Sequence, residues 1–171
     1  MNVEDIILQN VTEKDLPTLF QWFNDESSYG EFDEPSRISK KKLREKFING
    51  GFSSDDQGTL IIFNGKNPVG FLNFLKDPFD SWIMFMGTVI AIEDMRNRGI
   101  GTIAQKMGAR YIFDNYPTVQ KIEAVTDKDH IAERRSLEKA GFTFEGILRN
   151  RNLRRGKFYD MAYYGILRSE I

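Results

Sequence analysis

The sequence predicts a mixed α+β domain built on a mostly antiparallel sheet that is interrupted once by a strand–helix–strand crossover. Three observations carry that expectation. The apolar runs "TLIIFN", "VGFLNFLK" and "WIMFMGTVIAI" follow one another across short turn sequences, as in a meander. Two glycines, Gly99 and Gly101, come directly after the third run and open a stretch of helical periodicity. The chain of 171 residues has the length of one domain with its own core, so residues 1–171 are expected to form a single unit.

Taken in order, "EDIILQN" reads as a short first strand. "TEKDLPTLFQWF" follows as a helix with Thr12 as N-cap, Asp15 three residues on and Pro17 in the first turn, and Leu16, Leu19, Phe20 and Phe23 at helical spacing. "NDESSYGEFDEPSRIS" has turn chemistry and no period, which predicts a loop, and Ser39 caps a second helix over "KKKLREKFING". The three-strand meander comes next. Ile100, Ile103, Ala104, Met107 and Tyr111 share one face of a third helix ending near "NYP". "KIEAVTD" is a strand, "HIAERRSLEKAGF" a helix ended by Gly141, and "FTFEGILRNRNL" and "FYDMAYYGIL" form a last hairpin across "RRGK".

Composition excludes several function classes. With no cysteine there are no disulfides, thiolate nucleophiles or zinc–thiolate sites, and one histidine, His130, rules out a multi-histidine metal site, so no metal is expected. No stretch approaches ~18 apolar residues and "MNVEDIILQN" has no leader pattern, so the expectation is a cytoplasmic protein without a membrane partner. A net charge of -1 gives no footprint for nucleic acid. Residues 1–95 carry 9 Lys+Arg against 16 Asp+Glu, and residues 96–171 carry 15 against 9. That asymmetry suits a cationic ligand on one side and a polyanionic one on the other.

"RNRGIGT" places glycines at a helix start, where backbone N–H groups lack intrahelical partners and an oxygen anion can approach closely. A phosphate or pyrophosphate is the natural guest; a tight turn with solvated arginines is the plain alternative. "GIGTIA" also satisfies a dinucleotide pattern, and Asp127 ends the next strand. That fingerprint belongs on the first strand of a parallel sheet, whereas a helix pair and a meander precede it here.

Five segments in register, R-x-x-G-x-G at Arg96–Gly101, "KIEAVTD", "LEKAGF", "EGILR" and "GKFYD", resemble the GNAT superfamily of N-acetyltransferases, specifically its RimJ/RimL-type branch. The resemblance implies a GNAT-like sheet with helices on both faces and a cofactor gap where the fourth and fifth strands splay. It implies acetyl-coenzyme A as co-substrate, with its pyrophosphate on Arg96, Asn97, Arg98, Gly99, Ile100, Gly101 and Thr102 and its pantetheine arm along Ile90, Ala91 and Ile92. Dimerisation is common among such proteins, so a homodimer is an expectation of the resemblance alone.

The sequence departs from the family pattern where acid–base chemistry would be read. His130-Ile131-Ala132-Glu133 stands where many members have Asn-x-x-Ser, Leu137 where some place a tyrosine, and Phe85 where many place a carboxylate. His130 is therefore a candidate both for catalysis and for the cofactor, with Glu133 and Tyr159 as further catalytic candidates. Glu31, Asp33 and Glu34 in the acidic loop, with Trp82, are candidates for binding the acceptor. The expected activity is acetyl transfer to a primary amine, a protein N-terminal α-amine or a small cationic amine such as an antibiotic or polyamine. The rivals are a catalytically silent acyl-coenzyme A-binding protein, an NAD-dependent enzyme and an interaction domain.

Overall fold

The computed structural model describes residues 5–171. The chain runs β1 (Ile6–Asn10), α1 (Leu16–Asn24), α2 (Lys40–Ile48), β2 (Gln57–Asn64), β3 (Asn67–Lys76), β4 (Ile83–Ile90), α3 (Ile100–Asn115), β5 (Lys121–Asp127), α4 (Ile131–Ala140), β6 (Thr143–Arg154) and β7 (Lys157–Leu167). Glu4, where the first strand was expected to begin, lies outside the described residues. The seven strands form one sheet in the order β1-β2-β3-β4-β5-β7-β6, antiparallel throughout except for β4 beside β5.

Local chemistry explains the helix ends. The Thr12 N–H donates to Asp15 Oδ2 at 2.8 Å across a short 3-10 turn, Glu13–Asp15, that leads into α1. Ser39 Oγ accepts from the Lys42 N–H at 3.2 Å and starts α2. Gly141, at φ 104, closes α4 in the left-handed conformation. The loop between α1 and α2 contains one short 3-10 turn, Glu26–Ser28.

Strand alternation sorts the core onto two faces. Leu60, Leu72, Phe74, Met84 and Met86 pack with Ile112 and Phe113 of α3 and Leu137 of α4. Their neighbours Ile61 and Phe71 point the other way, against Leu19, Trp22 and Phe23 of α1 and Leu43 of α2. Helices thus cover both faces, and hydrophobic burial holds each layer to the sheet.

One local failure of pairing shapes the site. β4 and β5 are in register only at Ile83–Phe85 against Lys121–Glu123. Beyond Phe85 the strands have no bridging residues, so β4 reaches Ile90 with an unpaired edge and the sheet opens into a V. The third run was expected to continue as strand to Ile92. It ends at Ile90 because the Ala91 and Ile92 N–H groups both turn to Val69 O, at 2.9 and 3.2 Å. Among the described residues no helix is long and apolar enough to cross a membrane.

Candidate active site

The V opens into a cleft of about 790 Å³, walled by Thr88–Ile90 of β4, the start of α3, the first turns of α4 and Tyr29–Asp33 of the loop before α2. A volume of this order suits a cofactor-sized ligand.

One end of the cleft is built for an anion. Asn97 at φ 59 and Gly99 at φ 83 turn the chain through the left-handed region into α3, a turn that glycine makes without cost. The Ile100, Gly101 and Thr102 N–H groups have no acceptor among the described residues, and they carry the positive end of a sixteen-residue helix. A Cβ on Gly101 would lie 3.7 Å from Ser136 Oγ, so the protein leaves room at that position that no side chain fills. Thr88 Oγ1, on the cleft wall, is buried without a partner. These features fit a pyrophosphate followed by a polar chain running along β4.

The arginines of "RNRGIGT" are held by backbone carbonyls. Arg96 donates from Nε to Ile90 O at 2.9 Å and from its terminal nitrogen to Ser27 O, joining the end of β4 to the loop before α2. Arg98 Nε donates to Asp94 O at 2.6 Å. Both stiffen the turn through backbone carbonyls.

A directed chain of side-chain hydrogen bonds crosses from α3 to α4. Thr102 Oγ1 and Ser136 Oγ lie 2.8 Å apart, Ser136 Oγ donates to Gln105 Oε1 at 2.9 Å, and Gln105 Nε2 donates to Glu133 Oε1 at 2.6 Å. Burial pushes the Glu133 carboxyl up to about 7, the nearby Asp33 adds to the rise and the Gln105 bond opposes it. Its acidity is thereby matched to neutral pH, as a general base requires.

Opposite lies an aromatic and acidic wall. The Phe32 ring stacks on His130, centroids 4.2 Å apart and planes inclined by 13°. His130 Nδ1 lies 3.4 Å from Thr126 Oγ1. Burial pushes the imidazole below its usual value, against the pull of Asp33, Asp127 and Glu31, which favours the neutral ring at physiological pH. Burial likewise raises the Asp33 carboxyl, opposed by His130 and Arg154. Among the described residues no group of His, Asp or Glu side chains is placed to hold a metal ion.

The profile of the acetyltransferase (GNAT) domain matches residues 5–143. The chain belongs to the GNAT acetyltransferase family. This GNAT domain superposes on spermidine N-acetyltransferase from Vibrio cholerae in complex with CoA and spermine, with TM-score 0.81, 19% identity and 96% of each chain covered. It is similar to RimL, a ribosomal L7/L12 α-N-protein acetyltransferase in complex with coenzyme A (TM-score 0.78, 16% identity, 97% of this chain and 96% of that one). It is also similar to the aminoglycoside acetyltransferase AAC(6')-Ib in complex with coenzyme A (TM-score 0.74, 19% identity, 97% and 96%). At these identities the likeness is one of fold, and it does not single out the RimJ/RimL branch. A search of curated protein sequences found no match.

Within the GNAT domain the sequence-expected residues divide. Ile90, Arg96, Asn97, Gly99, Gly101, Thr102, His130, Glu133, Glu31 and Asp33 all line one cleft. Ala91 and Ile92 do not, because their amides are taken up by β3. Trp82 sits at the closed end of the V, 45% exposed, its carbonyl accepting from Gln120 and Lys121. Glu34 leaves the cleft to pair with Arg155 at 3.6 Å. Tyr159 lies outside it beneath the Arg154 guanidinium, 4.0 Å from ring centre to carbon. His130 and Glu133 make no direct hydrogen bond; the carboxylate turns to Gln105. Sequence reasoning missed Thr88, Gln105 and Ser136. Gln105 lies on the buried face of α3 with Ala104, Gly108, Ala109 and Ile112, whereas Ile103 and Met107 of the face expected from the sequence are exposed, so periodicity gave no signal for it.

Proposed function

We propose that this GNAT domain is an acetyl-coenzyme A-dependent N-acetyltransferase, and that its acceptor is a cationic primary amine: a protein N-terminal α-amine, or a small amine such as an antibiotic or polyamine. One observation carries the reading. A single cleft joins an anion cradle at the start of α3 to a carboxylate of raised proton affinity, Glu133, and to the acidic residues Glu31 and Asp33. A polyanionic donor fits one end and a cation the other.

Bound acetyl-coenzyme A supplies the activated acetyl thioester. The amides of Ile100, Gly101 and Thr102 hold its pyrophosphate, Thr88 and the free edge of β4 guide the pantetheine, and Phe32 with His130 covers the cleft from the acceptor side. Glu31 and Asp33 attract the ammonium group. Glu133 takes one proton from it, directly or through a water, and the neutral amine attacks the carbonyl carbon. As the C–N bond forms the C–S bond breaks, and the thiolate takes the second amine proton.

The energetics rank the acceptors. Moving a proton to a base near pKa 7 costs about 1.1 kcal/mol from an α-amine of pKa ~7.8 and about 4.6 kcal/mol from an alkyl amine of pKa ~10.4. Flanking carboxylates hold the proton on either amine more tightly. An α-amine is the acceptor this site serves with least effort, and the motifs "LEKAGF", "EGILR" and "GKFYD" support the RimJ/RimL-type assignment on that side.

The test is product analysis by mass spectrometry with acetyl-coenzyme A and three acceptors: a peptide with a free α-amine, a polyamine and an aminoglycoside. The chain has no cysteine, so free thiol appearing in the assay comes from the donor alone. Acetylation of an amine with matching thiol release is the expected result. Binding without transfer to any amine would leave the silent acyl-coenzyme A-binding reading, and absence of binding would leave an interaction domain.

A further inference from the structure

The last hairpin, beyond the residues that the family profile covers, reaches into the site through one side chain. Arg154, near the end of β6, is 6% exposed. One terminal nitrogen donates to Asp127 Oδ2 at 3.0 Å and the other to the Phe32 carbonyl, while its guanidinium lies over the Tyr159 ring. The planar guanidinium holds two donor nitrogens apart in a fixed fork and so reaches two separated acceptors, a span that the single nitrogen of a lysine does not cover.

Both partners matter to His130. The other oxygen of Asp127, Oδ1, accepts from the Asp129 N–H, and the Asp127 carbonyl accepts from the His130 N–H, each at 3.0 Å, so Asp127 sets the turn that delivers His130 to α4. Phe32 supplies the ring stacked on the same imidazole. Among the described residues the bond from Arg154 is the only hydrogen bond made to residues 30–33, the segment carrying Glu31 and Asp33. One guanidinium therefore ties the end of β5, the hairpin and residues 30–33 together, beside the ion pair that Arg155 of the same hairpin makes with Glu34.

We propose that Arg154 is a positioning residue for acetyl transfer: it clamps the acidic loop against His130 and so sets the acceptor side of the cleft without touching the donor side. This rests on the acetyltransferase reading above. The clamp makes the loop's contribution to acceptor binding depend on a residue more than a hundred positions away in sequence, on an element remote from the glycine cradle.

The variants that test it are Arg154→Lys, which keeps a charge beside Asp127 but cannot span to Phe32, and the double variant Arg154→Met with Asp127→Asn, which leaves no uncompensated charge buried. Thermal melting checks that each is folded. Steady-state kinetics should show the acceptor KM raised about tenfold, the size of one lost charge-assisted hydrogen bond, with the acetyl-coenzyme A KM within about twofold of the parent. Cleavage of the native protein by chymotrypsin after Phe32 should quicken. Equal loss of affinity for both substrates, or an unchanged acceptor KM in a folded variant, overturns the proposal, and so does unchanged cleavage at that bond. Cleavage needs no turnover, so it reports on the clamp even if the wild-type protein acetylates no amine, a result that would instead overturn the acetyltransferase reading.

Discussion

Gln105 donates its side-chain amide to Glu133 Oε1 at 2.6 Å, and Ser136 donates to the other end of the same amide at 2.9 Å, with Thr102 beyond it. The bond joins the helix that begins at the anion cradle to the helix that carries the base. Gln105 is 1% exposed, so its orientation is held by packing as well as by its two partners. Cutting the bond with Gln105→Leu removes the one hydrogen bond that favours the Glu133 anion and should move the base's pKa further upward, shifting the acidic limb of the rate profile to higher pH.

Glu133 also links stability to pH. Its carboxyl rises from 4.5 to about 7 on folding, so the folded state binds the proton more tightly. The stability it contributes is fully present below about pH 4.5 and is lost as pH rises through about 7. Glu133→Gln should abolish that component. The difference in unfolding free energy between variant and parent should change by roughly 1–2 kcal/mol from pH 4.5 to 8, after allowing for the cleft's open side. Denaturant titrations at the two pH values measure it, and a pH-independent difference would mean that Glu133 is not held near neutrality.

The two glycines of the cradle should separate folding from binding. Gly99 sits at φ 83, so Gly99→Ala forces a side chain into the left-handed region and should cost about 1 kcal/mol of stability. Gly101 has no positive φ, and a Cβ there meets Ser136 Oγ at 3.7 Å and Ile90 Cγ1 at 4.0 Å, both ordinary contacts. Gly101→Ala should therefore melt close to the parent while weakening acetyl-coenzyme A about tenfold or more by crowding the anion. Calorimetric titration of both variants distinguishes the two effects.

Charge in the acidic loop should act selectively. Glu31 and Asp33 line the cleft, whereas Glu34 is paired with Arg155 outside it. Glu31→Gln with Asp33→Asn is expected to raise the KM for a cationic acceptor several-fold at low salt, an effect that shrinks as screening increases. Glu34→Gln should leave that KM unchanged. Equal effects from the two changes would move the acceptor path away from residues 31–33.

Arg168 provides a stability control remote from the chemistry. Its guanidinium donates to Val119 O, Phe113 O and Tyr116 O at 2.8, 2.8 and 2.7 Å and covers the Phe113 ring, closing the carbonyl end of α3. Arg168→Ala should lower stability by about 2–4 kcal/mol, several degrees in melting temperature, with both KM values unchanged.

What could be read from the sequence was local. Thr12, Ser39 and Gly141 cap helices through bonds spanning only a few residues, the meander is punctuated by short turns, and the glycine cradle is contiguous. Each was legible for that reason. Long-range relations were not. Strand periodicity carried the fourth strand to Ile92 because nothing in the run shows that Val69 captures two amides. Trp82 was a candidate for binding the acceptor, yet it lies at the end where β4 and β5 pair. Tyr159 sits in a motif shared with similar proteins, but its ring serves Arg154. Arg154 itself is one of three arginines between Asn150 and Gly156, and only the fold shows which of them turns inward to Phe32.

The measurement that bears most directly on the central claim is the pH dependence of acetyl-coenzyme A-dependent thiol release, wild type against Glu133→Gln, with an α-amine peptide as acceptor. The account predicts a wild-type kcat that rises through an apparent pKa near 7, and a variant that still binds acetyl-coenzyme A but turns over about a hundredfold more slowly, without that limb. A variant with the parent's rate and profile would contradict it, because Glu133 would then not be the base.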